Sequence, residues 1–179
     1  MQRVMSLVVA AAIVTAPLGA QTPTAANPIS TAVRSDWNGV KQNVLKSATV
    51  MPEAKYSFKP VASVRTFGQI LAHIAGANYI FCAAAKGEKS PHAEDAFEKT
   101  ATTAPAIIKA LQESIAYCDA AYTALDDRRA GETIDGPFGG GKAARAAALM
   151  GNTGHLQEHY GNLVTYLRIN GLVPPSSAQ

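Results

Sequence analysis

Four stretches of this chain repeat apolar residues every three or four positions, and none alternates at every second one. That periodicity points to helices packed on one another and away from any sheet. In the first stretch Val33, Trp37, Val40, Val44 and Leu45 recur up to about Ala48. It follows Asn27-Pro28, which reads as an N-cap with proline in the first turn. Thr66-Phe67-Gly68-Gln69 fits a capping box and opens the second helix, which Gly87 closes. Phe67, Ile70, Ile74, Ala77 and Phe81 trace one broad apolar face along it. The third spans about Ala104 to Asp126, on a stripe including Ile107, Ile108, Leu111, Ile115, Cys118, Tyr122 and Leu125. The fourth is long, from about Lys142 to Asn170, with Gly171 as its stop and Pro174-Pro175 beyond. The loops between carry Pro52 and Pro60, then a polar stretch broken by Pro91, then Gly139-Gly140-Gly141. Four helices in a chain of this size predict an all-α four-helix bundle.

The N-terminus stands outside that pattern. Arg3, an almost wholly apolar run from Val4 to Val14, and Ala16-Pro17-Leu18-Gly19-Ala20 before Gln21 read as a secretory signal peptide, residues 1–20. A retained anchor is the alternative, but the run is short for a bilayer, and no later stretch is long or apolar enough to span one. The expected product is exported, periplasmic or secreted, with no membrane segment in its mature form. Its single domain covers 27–173, between flexible ends at 21–26 and 174–179. The formal charge of +3 falls to +2 without Arg3, and the longest basic run is Arg128-Arg129. Such a balance argues against a nucleic-acid partner. Export also bears on Cys82 and Cys118, the only two cysteines. An oxidising compartment lets them form a disulfide; two small buried thiols are the alternative. They lack the short spacing of cysteine zinc ligands.

The chain has four histidines. His155 and His159 lie four apart in Asn152-Thr153-Gly154-His155-Leu156-Gln157-Glu158-His159-Tyr160 and so share a helix face. His73 sits in Ile70-Leu71-Ala72-His73-Ile74-Ala75, where an unpartnered imidazole would be costly. Together they make three neutral nitrogen ligands, the set a divalent transition metal needs when its other positions stay open. Each also has a plainer reading, His73 as a hydrogen-bonded core residue and the pair as a solvated helix face. His92, in a polar loop, is left out of the site. Glu158 points about a hundred degrees from His159 on a helical wheel, a poor placement for a base. Gln69 and Asn152, one turn from His73 and His155, are candidates to hold a ligand or a water. Tyr160 and Tyr166 read as packing residues with a polar tip. Gly136-Pro137-Phe138-Gly139-Gly140-Gly141-Lys142 has the spacing of a phosphate-binding loop. Ala143 stands where that loop needs a hydroxyl, and no buried strand precedes it, so the glycines read as a turn.

The last-helix run from Asn152 through Thr165-Tyr166-Leu167-Arg168, with Asn170-Gly171-Leu172-Val173-Pro174-Pro175 after it, resembles the end of DinB-like proteins. Phe67-Gly68-Gln69-Ile70-Leu71-Ala72-His73-Ile74-Ala75 is similar to the second helix of the same family. With Tyr56-Ser57-Phe58-Lys59-Pro60, the likeness covers nearly all of the mature chain. It implies a bundle with an up-down-down-up course, a metal on His73, His155 and His159, and a homodimer. Relatives include thiol-dependent transferases and hydrolases, whose thiols are made inside cells. For an exported member two readings follow: a metal-dependent hydrolase acting on a small molecule, or a noncatalytic metal-binding scaffold. Zinc, nickel, copper and iron all suit imidazole ligands. No catalytic residue is assigned beyond the ligands.

Overall fold

The computed structural model describes residues 26–178; the signal-peptide reading of residues 1–20 lies outside them. The described residues form six α-helices: α1 (Pro28–Val50), α2 (Phe67–Lys86), α3 (Ala96–Thr100), α4 (Ala104–Thr123), α5 (Asp127–Ala130) and α6 (Arg145–Ile169). A two-stranded antiparallel hairpin, β1 (Thr133–Asp135) and β2 (Lys142–Ala144), precedes α6.

The long helices α1, α2, α4 and α6 make the bundle, and their contacts fix its course. Trp37 and Lys41 both donate to Asp119 at 2.6 Å, while Ser30, about two turns before Trp37, meets Asp127, so α1 runs against α4. Asn78 bonds Ser114 and Cys82 bridges Cys118, so α2 runs along α4. Arg145 donates to the Ala85 carbonyl and Tyr166 to that of Arg65, so α2 runs against α6. The order is up-down-down-up, as the resemblance implies.

Thr66 and Gln69 form the expected capping box, and Gly87 ends α2 at φ 76°. Asn27 differs from expectation. It is left-handed (φ 63°), and its side chain caps nothing on α1 but accepts from Asp127 N at 3.1 Å. In return the Asp127 carboxylate accepts from Ile29 N and Ser30 N. A carboxylate is the stronger acceptor for orphan helix donors, and it arrives from about a hundred residues away.

Three further boundaries differ. The third predicted helix stops at Thr123, because Asp126 turns to cap α5 by accepting from Arg129 N. The fourth begins at Arg145, since Lys142–Ala144 is taken up by pairing with β1, which buries Ile134. No strand was expected: three residues are too few for alternation to show. The predicted flexible C-terminal end instead makes a 3-10 turn at Pro175–Ser177, and Ser176 N donates to Tyr160 Oη at 2.8 Å.

Helix α2 is also, by length and composition alone, apolar enough to cross a membrane, contrary to the sequence reading. Most of that stretch is buried against α4 and α6, which is why a core helix can carry it. In the core, Trp37 stacks on Tyr122 with centroids 4.4 Å apart. Burial pushes the Tyr122 hydroxyl up to about 12, and it donates to the Leu149 carbonyl. The Cys82–Cys118 disulfide lies fully buried between α2 and α4.

Candidate metal centre

The antiparallel passage of α2 and α6 brings the three predicted histidines together. His155 Nε2 lies 3.1 Å from His73 Nε2 and 3.0 Å from His159 Nε2. His73 and His159 are buried and His155 is half-buried. A neutral imidazole nitrogen offers either one N–H or one lone pair. His155 Nε2 can therefore complete a hydrogen bond with only one of its two neighbours. A cation at the shared point satisfies all three lone pairs at once, and ligand atoms from the three residues lie mutually within 4.8 Å. The arrangement could hold a metal ion.

Burial, helped by neighbouring charge, keeps the three imidazoles neutral. Burial, then the neighbouring His159 and His73, push His155 down to about 3. Burial, then His73, push His159 down to about 4. Burial and the Arg65 charge lower His73 as well, against an upward pull from Glu98 and Glu94. All three stand neutral at ordinary pH, the form in which imidazole binds metals.

The far nitrogens have unequal support. Glu98 Oε1 stands 3.2 Å from His73 Nδ1, off the hydrogen-bond axis, and Glu94 Oε1 stands 3.8 Å away. Arg65 clamps the same Glu98 carboxylate through Nε (3.0 Å) and Nη2 (3.3 Å). The Asn162 amide lies 3.4 Å from His159 Nδ1, and an amide can serve either tautomer. His155 Nδ1 is buried without a partner among the described residues. On its other side His155 packs near Phe81, which meets Phe138 of the hairpin tip edge-on at 5.0 Å. Phe138 is half exposed and left-handed at φ 56°.

Gly76 explains how the acidic segment reaches His73. A Cβ there would lie 1.8 Å from the Glu94 carbonyl oxygen, so only glycine lets residues 94–98 pass this close to α2.

Sequence reasoning missed Glu94, Glu98, Arg65 and Asn162. Of these only Asn162 gave a cue, at three positions beyond His159. Two expected supporting residues serve elsewhere. Gln69 Oε1 accepts from Thr66 N, its capping-box role. Asn152 turns from the histidines into the core, with Nδ2 3.4 Å from Tyr122 Oη and 3.7 Å from each sulfur of the disulfide. Tyr166 Oη donates to the Arg65 carbonyl at 2.8 Å, so its polar tip braces the site. His92 packs on Tyr79 and Phe97, apart from the cluster. Glu158, although poorly aimed, does line an open cleft with His159. The glycine loop is no phosphate cradle: Lys142 pairs with Asp135, and Gly136 N bonds the Gly141 carbonyl.

Residues 37–163 match the family model of the DinB superfamily. No curated protein matches the chain. Among solved structures, a DinB-like protein from Bacillus cereus superposes with a TM-score of 0.63 at 18% identity, covering 81% of this chain and 95% of that one. A DinB-like protein from Bacillus subtilis gives 0.58 at 21% identity, covering 78% and 92%. The mycothiol-dependent maleylpyruvate isomerase gives 0.62 at 14% identity, covering 75% of this chain and 60% of the isomerase. The chain thus spans about three-fifths of that enzyme's length. At these identities the likeness is one of fold. The family match, from Trp37 in α1 to Leu163 in α6, takes in all four bundle helices and all three histidines, and the chain belongs to the DinB superfamily.

Proposed function

We propose that the chain binds one divalent transition metal ion through His73, His155 and His159 and hydrolyses a small molecule beside it, in an oxidising compartment. The observation that carries the reading is the meeting of three neutral Nε2 atoms at one point. Zinc, nickel and iron all suit that donor set. When bound, such an ion supplies Lewis acidity at the positions its three ligands leave open. The residues around it have separate tasks. Burial holds His155 and His159 neutral, the Glu98 carboxylate steadies His73, and Phe81, met edge-on by Phe138, packs on the His155 side. The buried Cys82–Cys118 bridge supports an exported setting, since such bonds persist where thiols are oxidised.

Metal analysis of purified protein tests the reading. About one ion per chain is expected in wild type and in His92→Ala, and a large loss in His73→Ala, His155→Ala and His159→Ala. Equal metal content in wild type and His155→Ala overturns the site. The hydrolytic half is checked on activated esters, amides and phosphoesters with metal loaded or chelated and no thiol added. Turnover that appears only with added thiol would instead align the chain with the mycothiol-dependent isomerase.

A further inference from the structure

The cleft that His159 lines has a wall chemistry of its own. It encloses about 770 Å³, within the size range of small-molecule sites. Ile70 lines its apolar part, and Lys59, Arg65, Asn162 and Tyr166 supply polar groups beside His159. Among the described residues, the only acid lining it is Glu158.

Both cations are held in place by the fold. Lys59 follows Phe58, whose carbonyl accepts from Phe67 N at 2.9 Å and whose ring meets Tyr166 edge-on. Its Nζ donates to the Ala62 carbonyl at 2.9 Å, which leaves two of its three N–H groups for a ligand. Arg65 is fixed through its backbone by Tyr166 and through Nε and Nη2 by Glu98. Its Nη1 makes no hydrogen bond among the described residues. Arg65 lines the cleft together with His159, and the Glu98 it clamps stands 3.2 Å from His73, so the guanidinium sits at the rim of the cluster.

Charge balance decides the ligand class. Three neutral imidazoles compensate none of a divalent ion's charge; Glu98 pairs with Arg65 and Glu158 offsets Lys59, so the ion's charge leaves the cleft cationic, and Lys59 and Arg65 each keep donors to offer. We propose that this cleft takes a small carboxylate-bearing substrate, its carboxylate held by Lys59 Nζ and Arg65 Nη1 and its apolar part lying along Ile70. The proposal rests on the metal-site reading for the charge of the cleft, while Lys59 and Arg65 carry the recognition. A neutral amide in place of the carboxylate would lose both charge-assisted bonds.

The test is calorimetric binding of succinate, succinamide and inorganic phosphate to zinc-treated protein, with metal content measured on the same samples. Succinate should bind at least about tenfold more tightly than succinamide. Lys59→Met, on an exposed loop where its Nζ bonds only the Ala62 carbonyl among the described residues, should weaken succinate about tenfold or more with zinc content unchanged. Arg65→Met should weaken it further. Equal affinity for succinate and succinamide, or indifference of succinate to Lys59→Met, overturns the proposal; so does binding of phosphate alone. A chain that takes up no zinc yet binds succinate through Lys59 would remove the metal reading and support the cleft.

Discussion

Gly76→Ala separates two effects of opposite sign. Alanine is about 1 kcal/mol better than glycine inside a helix, so with open space the change would stabilise α2. Space is absent: the new Cβ would lie 1.8 Å from the Glu94 carbonyl oxygen and 2.6 Å from its carbon. Restoring ordinary contact requires the residue 94 backbone to retreat by about 1.5 Å. Overpacking on that scale costs about 1–3 kcal/mol, which outweighs the helical gain and leaves a net loss of up to about 2 kcal/mol. Since α3 is only five residues long and is anchored by the Arg65–Glu98 pair, it should lift before α2 bends. Glu98 and Glu94 then leave His73. Expected are a melting temperature lowered by about 2–4 °C per kcal/mol lost and zinc affinity reduced about 10–100-fold. Gly39→Ala is the control, with nothing within 4 Å of its new Cβ, and should gain up to about 1 kcal/mol. Thermal unfolding and competitive zinc titration on both variants decide. If Gly76→Ala gains stability like Gly39→Ala and keeps its zinc affinity, the account of the acidic segment is wrong.

Glu98→Gln keeps the shape but removes the charge beside His73, and should weaken zinc about tenfold or more, whereas Glu88→Gln, bound only to Lys86 and Tyr117, should not. Lost binding in both variants would deny Glu98 a specific role. The double variant Cys82→Ala, Cys118→Ala opens a link across 36 residues and should lose about 4 kcal/mol in denaturant unfolding; an unchanged midpoint would refute this. In metal-free protein His155 and His159 titrate near 3 and 4, below the ordinary 6.5, so the unfolded chain binds more protons between those values. Stability of the metal-free form should therefore fall as pH drops from about 6.5 towards 4, as followed by circular dichroism. Zinc affinity should hold to a lower pH than free histidine allows, and a loss centred near 6.5 would contradict the assigned burial.

The sequence displayed the bundle because long amphipathic helices write their periodicity over several turns, and the histidine triad because two of its members share one helix face. What it concealed is nonlocal. Asp127 caps α1 from about a hundred residues away, and no local pattern near Asn27 announces it. Glu98 sits in a polar stretch where its charge looks like solvated surface. Its value arises only because Gly76 lets that segment cross α2 beside His73.

Asn152 shows why one turn along a helix is a weak guide to partnership. It is near His155 in sequence and fully buried, yet its amide turns inward, to Tyr122 and the disulfide. Asn78 and Ser114 extend the same buried polar strip between α2 and α4. The strip and the metal cluster therefore occupy different sides of α6 while sharing its backbone. Reading α6 as one face would merge them. Its even mixture of polar and apolar residues reflects a helix that buries a structural network on one side and the histidines on another. The bridge at Cys82 and Cys118 lies within that network and fixes α2 against α4. Because His73 rides on the same α2, a covalent tie one side of the helix away limits how far its imidazole can drift from His155 and His159.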